Sequence, residues 1–255
     1  MPDEMLDLVS AYAWPSQAYW RYFELMALRG IRMDPPVLEI GCGDGKFSSL
    51  IFDQIDEGID VNPRAVERAR AGGLYKVVRC GDAHDLDTEA NFGTVYANCV
   101  MEHIPNVSGV LGGCNRALRA GGQLVMTVPL EEMNHHLLLR SSSYARWRQR
   151  QLSHCNLLGC FGWRDLLQEA GFGGVEFTPY LGASTCRFWD AVDVIGCFGY
   201  RRFSMATAIS RLSQSIIPQH WRTRLLRPIA SWLTSKVAEN SDLSPACAAV
   251  IVARK

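Results

Sequence analysis

A glycine loop and two carboxylates carry the sharpest chemical signal in this sequence. The stretch Gly41-Cys42-Gly43-Asp44-Gly45 follows a short run, Val37 to Ile40, that includes Glu39, and it precedes a helical segment over about 46–53. Glycines at such a turn let the backbone fold tightly and approach a ligand with no Cβ in between. The spacing is G-x-G-x-G, whereas a dinucleotide fingerprint needs G-x-G-x-x-G and meets Lys46 at its third glycine. Asp60 ends a second apolar run, where a carboxylate can accept from both hydroxyls of a ribose. Asp82, in Cys80-Gly81-Asp82-Ala83, ends a third, where it can accept from an adenine amino group. One loop and two carboxylates at successive strand ends describe an edge where open α/β sheets bind ligands.

Proton-transfer candidates lie further on. His103 stands in Glu102-His103 after a fourth apolar run, and His154 stands in Ser153-His154-Cys155-Asn156. An imidazole titrates near neutrality and suits a general base. A loop residue capping the next helix is the plain alternative for His103, and a structural side chain the alternative for His154. His135 and His136 are adjacent and not at i, i+4 spacing, so they form no helical metal pair and no metal is expected. The nine cysteines include no C-x-x-C pair, and several sit in apolar runs as small hydrophobes, which suits a reducing cytosol.

The elements that must position these groups alternate. Residues 1–34 read as helical, crowded with Tyr12, Trp14, Tyr19, Trp20, Tyr22 and Phe23, and stop at Pro35-Pro36. Strands are expected at Val37–Ile40, Gly58–Val61, Tyr75–Cys80, Thr94–Val100 and Gln123–Val128. Helices are expected over Ala65–Ala71, opened by Pro63, and over 107–119, closed by Gly121-Gly122. Residues 131–155 read as polar and helical, Phe161–Ala170 as a helix, and Val175–Leu181 and Ala246–Ala253 as the last strands. Alternation of this kind means β-α-β units and a parallel sheet.

Taken in order, the motifs from Val37 to Gly45, Gly58 to Pro63, Cys80 to Ala83, Val100 to Pro105 and Arg116 to Pro129 resemble class I S-adenosylmethionine-dependent methyltransferases, nearest the methyltransferase type 11 domain. The resemblance covers about residues 36–130, and Cys160 to Phe172 is similar to the helix before that family's sixth strand. It implies a Rossmann-like α/β fold, a seven-stranded mostly parallel sheet with helices on both faces and a helical insertion before the last strand. It also implies S-adenosyl-L-methionine as methyl donor. Gly41, Gly43 and Gly45 would pass beneath the methionine and ribose, with Glu39 orienting the loop. Asp60 would hold the ribose hydroxyls, Asp82 and the Ala83 amide would read the adenine, and Asn98 would face the methionine moiety. A non-catalytic cofactor-binding or scaffold protein of the same fold is the alternative reading.

Composition places the acceptor elsewhere. The 255 residues carry 26 Lys+Arg and 26 Asp+Glu, yet residues 1–130 are net −6 and residues 131–255 net +6. The expected organisation is an N-terminal helical cap at 1–35, a methyltransferase domain at 36–181 and 245–255, and a basic amphipathic insertion at 182–244. From Val194 to Ala238 there are seven bases and no acid. Apolar residues recur there at helical spacing as Ile209, Leu212 and Ile216, then Ile229, Trp232, Leu233 and Val237, with Pro218 and Pro228 each placed to open a helix. Such helices suit the surface of an anionic membrane and a small-molecule or lipid-linked acceptor, or else a folded cap with solvated arginines. The N-terminal aromatics would roof the pocket or form helix core. No nucleic-acid module is visible, and nucleic acid is not an expected partner. Met-Pro-Asp-Glu opens the chain without a secretory pattern, and no apolar stretch reaches a membrane span, so a cytoplasmic protein, peripheral at most, is expected.

Overall fold

The computed structural model describes residues 2–12, 14–86, 91–197, 199–200, 203–204, 219–240 and 242–255. Two helices come first, α1 (Pro2–Ala11) and α2 (Pro15–Leu28). The α/β alternation follows as β1 (Val37–Ile40), β2 (Ile55–Asp60), α3 (Pro63–Gly72), β3 (Tyr75–Cys80), β4 (Phe92–Asn98), α4 (Val107–Ala117) and β5 (Leu118–Pro129). Then come α5 (Ser142–Leu152), α6 (Cys160–Glu169), β6 (Val175–Leu181) and α7 (Ala183–Cys197). A short ladder of β7 (Gly199–Tyr200) and β8 (Phe203–Ser204), α8 (Gln219–Glu239) and β9 (Ala248–Arg254) complete the described chain.

The main sheet has seven strands in the order β3-β2-β1-β4-β5-β9-β6, parallel except for β9, which runs antiparallel to both neighbours. Alternating side chains enter two separate cores, because both faces are covered by helices. Tyr96, Val125 and Val250 point to the face closed by α1, α2, α3, α7 and α8. Their neighbours Ala97, Met126 and Ile251 point to the face closed by α4 and α6. The order reverses between β1 and β4, and at such a switch point the loops diverge and leave a crevice at the carboxyl ends of the strands.

The expected fold is borne out, with local corrections. Residues 46–53 form turns with a single 3-10 turn at Ser48–Leu50, since Gly45 is left-handed and Ile55 already opens β2. Residues 131–155 are a 3-10 turn (Glu131–His135) and the short α5, capped by the Ser141 hydroxyl accepting from the Tyr144 amide. The helix expected to run to 119 stops at Ala117, where β5 begins. Pro228 opens no helix but lies inside α8.

The aromatic crowd of α2 divides between the two expectations. Tyr19, Tyr22 and Phe23 are core, with Tyr19 edge-on to Phe23 and to Phe188 of α7. Trp20 packs edge-on against Trp189 of α7 and also borders a cavity. Helix α8 buries Ala230 and Leu233 and sets Trp232 against Phe188, while Leu225 and Trp232 remain substantially exposed. Ile209, Leu212, Ile216 and Pro218 lie outside the described residues. No helix among the described residues is long and apolar enough to cross a membrane.

Candidate functional site

Gly41, Gly43 and Gly45 all have positive φ, at 67°, 57° and 75°. A side chain at Gly41 would be both strained and obstructed, since its Cβ would fall 2.4 Å from the Val100 side chain. The loop is fastened from below. Glu39, 2% exposed, accepts from the Ser48 hydroxyl at 2.6 Å and the Tyr75 hydroxyl at 2.9 Å. Burial pushes the Glu39 carboxyl up to about 7, against the pull of those two hydrogen bonds. The loop is fastened from the side by Asp60, whose Oδ2 accepts from the Gly43 amide at 2.8 Å while Oδ1 accepts from the Asn62 amide at 2.8 Å. Each carboxylate oxygen keeps further lone-pair capacity, so these bonds leave Asp60 able to accept hydroxyls.

Beyond the loop lies a cleft of about 340 Å³, with Gly41, Asp60, Gly81, Asp82 and Ala83 in its wall and Ile59, Val61 and Ile104 as apolar surfaces. Asp82 caps a 3-10 turn, accepting from the His84 amide at 2.9 Å and meeting the His84 ring at 2.7 Å. These bonds lower the Asp82 pKa and raise that of His84. The arrangement presents carboxylates and an apolar slot to a nucleoside.

A second cavity, of about 360 Å³, lies on the helical side, bordered by Tyr12, Trp20, Arg21, Trp189, Glu102 and His154 among others. Cys99 and His103 line both cavities. The cleft and this chamber are therefore neighbours, adjoining the turn just past the end of β4. Cys99 sits there with φ 49°, its amide donating to the Thr127 carbonyl at 3.1 Å and its thiol to buried Glu24 at 3.2 Å. Burial pushes the Cys99 thiol far above its ordinary pKa, so it is no nucleophile.

Arg21 was not singled out in the sequence. It pairs with Glu24 at 2.5 Å, donates to Asn98 Oδ1 and lies 4.8 Å over the Phe47 ring, just after the glycine loop. Burial opposes its charge, yet Glu24 holds its pKa above the ordinary guanidinium value. The sequence did contain a hint, an Arg-Glu pair at i, i+3 in an otherwise aromatic helix. Asn98 is 9% exposed, with Nδ2 donating to the Thr127 hydroxyl at 3.1 Å, and it borders neither cavity. Its side chain is held between Arg21 and Thr127.

The two histidines, 51 positions apart in the sequence, are neighbours with ring centroids 5.3 Å apart. Backbone bonds bring them together. The Glu102 carbonyl accepts from the amides of Cys155 at 2.7 Å and Asn156 at 3.0 Å, and Asn156 Nδ2 reaches back to the Met101 carbonyl at 3.2 Å. His103 Nδ1 lies 3.0 Å from the Ser153 carbonyl and His154 Nδ1 lies 2.7 Å from Gln149 Oε1. Both acceptors demand a proton on Nδ1, so that in the neutral ring the lone pair falls on Nε2. Burial, then the charges of His103 and Arg148, push His154 down to about 4, so it is neutral at pH 7. Beside them burial pushes Glu102 up to about 8. His135 borders a different, polar cleft, and His136 lies 3.2 Å from Glu132.

The chamber's outer wall is tied by one hub. Fully buried Arg148 of α5 donates to Asp190 at 2.6 Å and Asp193 at 2.6 Å, both on α7, and Ser16 of α2 donates to Asp193 at 2.7 Å.

Comparison with known proteins gives the family and the fold. A family model described as a methyltransferase domain matches residues 17–176. A malonyl-[acyl-carrier protein] O-methyltransferase of Paenibacillus sp. is 24% identical over 163 residues, 58% of this chain and 58% of that protein. A trans-aconitate 2-methyltransferase of Methylobacterium nodulans is 28% identical over 123 residues, 46% of this chain and 48% of that protein. The chain thus spans about half the length of the curated relatives it matches. A crystal structure from Thermotoga maritima, described as a SAM-dependent methyltransferase and possible histamine N-methyltransferase, shares the fold with a TM-score of 0.59. It is 16% identical, covering 93% of this chain and 89% of that one.

Proposed function

The chain belongs to the class I S-adenosylmethionine-dependent methyltransferases, and from that premise we propose that it moves a methyl group from S-adenosylmethionine to an oxygen of a small acceptor. The observation that carries this reading is that the nucleoside cleft and a second chamber share Cys99 and His103 in their linings. S-adenosylmethionine in the cleft, with adenine toward Asp82 and Ala83 and ribose on Asp60, would direct its sulfonium toward those two residues. The cofactor supplies the reactive methyl group, and the protein aligns the partners and excludes water.

The acceptor oxygen's lone pair forms the new bond to carbon while the carbon–sulfur bond breaks. The bonding pair stays on sulfur, giving the neutral thioether S-adenosylhomocysteine. A hydroxyl acceptor also loses a proton, and Nε2 of His103 or His154, with each Nδ1 bonded elsewhere, would take it. A carboxylate acceptor needs no base. The chamber's aromatic walls, with Arg21 between them, suit a small acceptor that joins an apolar body to an anionic or polar group. The O-methyltransferase among the relatives is in keeping with an oxygen nucleophile.

Calorimetric titration with S-adenosylmethionine and S-adenosylhomocysteine tests the reading. One site per chain is expected, weakened at least a hundredfold, about 2.7 kcal/mol, in Asp60→Ala. Absence of binding, or unchanged affinity in that variant, would overturn it. Peripheral membrane contact through 194–238 is a separate expectation. Anionic vesicles should float the chain and zwitterionic ones should not, and failure of both to do so removes the idea.

A further inference from the structure

We propose that Glu102, His103 and His154 form a binding site for one divalent transition-metal cation of the zinc and manganese class. The proposal rests on reading the chamber as the acceptor site, and it adds a ligand that neither the sequence nor the family match assigns. A carboxylate oxygen of Glu102 and one nitrogen of each imidazole lie within 4.8 Å of one another. Glu102 Oε1 stands 3.8 Å from His103 Nε2. Two neutral imidazoles and a carboxylate are a donor set that such ions favour, with remaining positions open to water or substrate.

A second, independent observation is the state of Glu102 itself. The residue is 1% exposed and borders the chamber beside both histidines, yet its Oε2 has no hydrogen-bond partner. A buried carboxyl oxygen left unpaired costs free energy, and a cation that binds with release of the Glu102 proton supplies the missing partner. The outer contacts are those of a ligand set as well. Each imidazole gives its Nδ1 proton to an oxygen, Ser153 carbonyl for His103 and Gln149 Oε1 for His154, which fixes the tautomer with Nε2 available.

Donors around a shared tetrahedral ion lie about 3.3 Å apart, so the three must draw in by roughly an ångström or more. His103, 42% exposed on a turn, is the side chain free to make that movement. His103 also lines the cofactor cleft. An ion here would sit where the two cavities adjoin, holding an acceptor oxygen in its open position next to the incoming methyl group.

Untagged protein, stripped with a chelator, is titrated with Co²⁺ as a spectroscopic probe and then with Zn²⁺ in competition. One Co²⁺ per chain with visible d–d bands is expected, displaced by Zn²⁺. Glu102→Gln and His154→Ala should each weaken binding at least tenfold, with circular dichroism showing the folded state. His154→Ala alone decides the matter should Glu102→Gln not fold. Absence of stoichiometric Co²⁺ binding, or equal affinity in the folded variants, overturns the proposal. Titration with S-adenosylhomocysteine separates the two readings. Protein that binds the nucleoside but not Co²⁺ loses only the cation, and the converse loses only the methyl-transfer reading.

Discussion

The cofactor cleft and the acceptor chamber are built in opposite ways. Every group in the cleft stands at or within a few residues of the end of a strand, and the parallel register places those ends side by side. Leu38 pairs with Glu57 and Val95, and Asp60 pairs with Cys80. Backbone hydrogen bonds and buried Glu39 hold the loop. Among the described residues, the chamber touches strand ends only at Cys99 and Pro129. It takes α2, the turn after β4, the 153–156 segment and α7 from distant parts of the chain, and side-chain ion pairs hold them together. A site built on strand ends can stay constant while a chamber built from helices changes its acceptor.

That contrast can be broken at its strongest point. Removing one partner from a buried ion pair leaves an uncompensated charge, at a cost of about 3–5 kcal/mol. Arg148→Met should lower the unfolding free energy by that amount in urea titrations, through Asp190, which is fully buried. Nucleoside affinity of the folded fraction should be unchanged. A coupled loss of affinity would mean that cleft and chamber are one mechanical unit.

Glu39 gives the cleft's counterpart. In the unfolded chain its carboxyl loses its proton near 4.5, and in the folded chain burial holds it to about 7. Between those values the folded state binds the extra proton, so rising pH destabilises it, by about 3 kcal/mol in total. Glu39→Gln removes this loss. Its stability relative to wild type should therefore improve from pH 4.5 to 7 and then level off, and a flat difference across that window would refute the assignment.

Smaller effects sharpen the cleft alone. Gly41→Ala combines a left-handed backbone with a collision at Val100 and should cost about 2 kcal/mol in thermal unfolding. Asp82→Ala should weaken S-adenosylhomocysteine about tenfold, or 1.4 kcal/mol, while leaving chamber stability untouched. An Asp82→Ala affinity equal to wild type would leave the adenine held by backbone and apolar contacts.

The same contrast explains what was legible in the sequence. The alternation of strands and helices, the glycine loop, Asp60 and Asp82 follow from local pattern, because strand, turn and helix are contiguous in the chain. His103 and His154 could be named singly from residue type, yet nothing periodic joins them. The link is a set of backbone bonds from Glu102 and Asn156. Glu102 gave no signal because its importance comes from burial. Arg21 hid in an aromatic helix, and its bond to Asn98 joins groups far apart in the chain. Propensity failed at Pro228, where tertiary packing of Ala230 and Leu233 carries α8 through a proline.

On the proposed reading, donor and acceptor meet at Cys99 and His103. A crystal structure with S-adenosylhomocysteine would show whether they do. Adenine is expected at Asp82, the ribose hydroxyls on Asp60, and the sulfur beside Cys99 and His103, facing the chamber between Trp20 and His154. A sulfur pointing away from that chamber, or a nucleoside bound anywhere but the cleft beside Gly41, would contradict it.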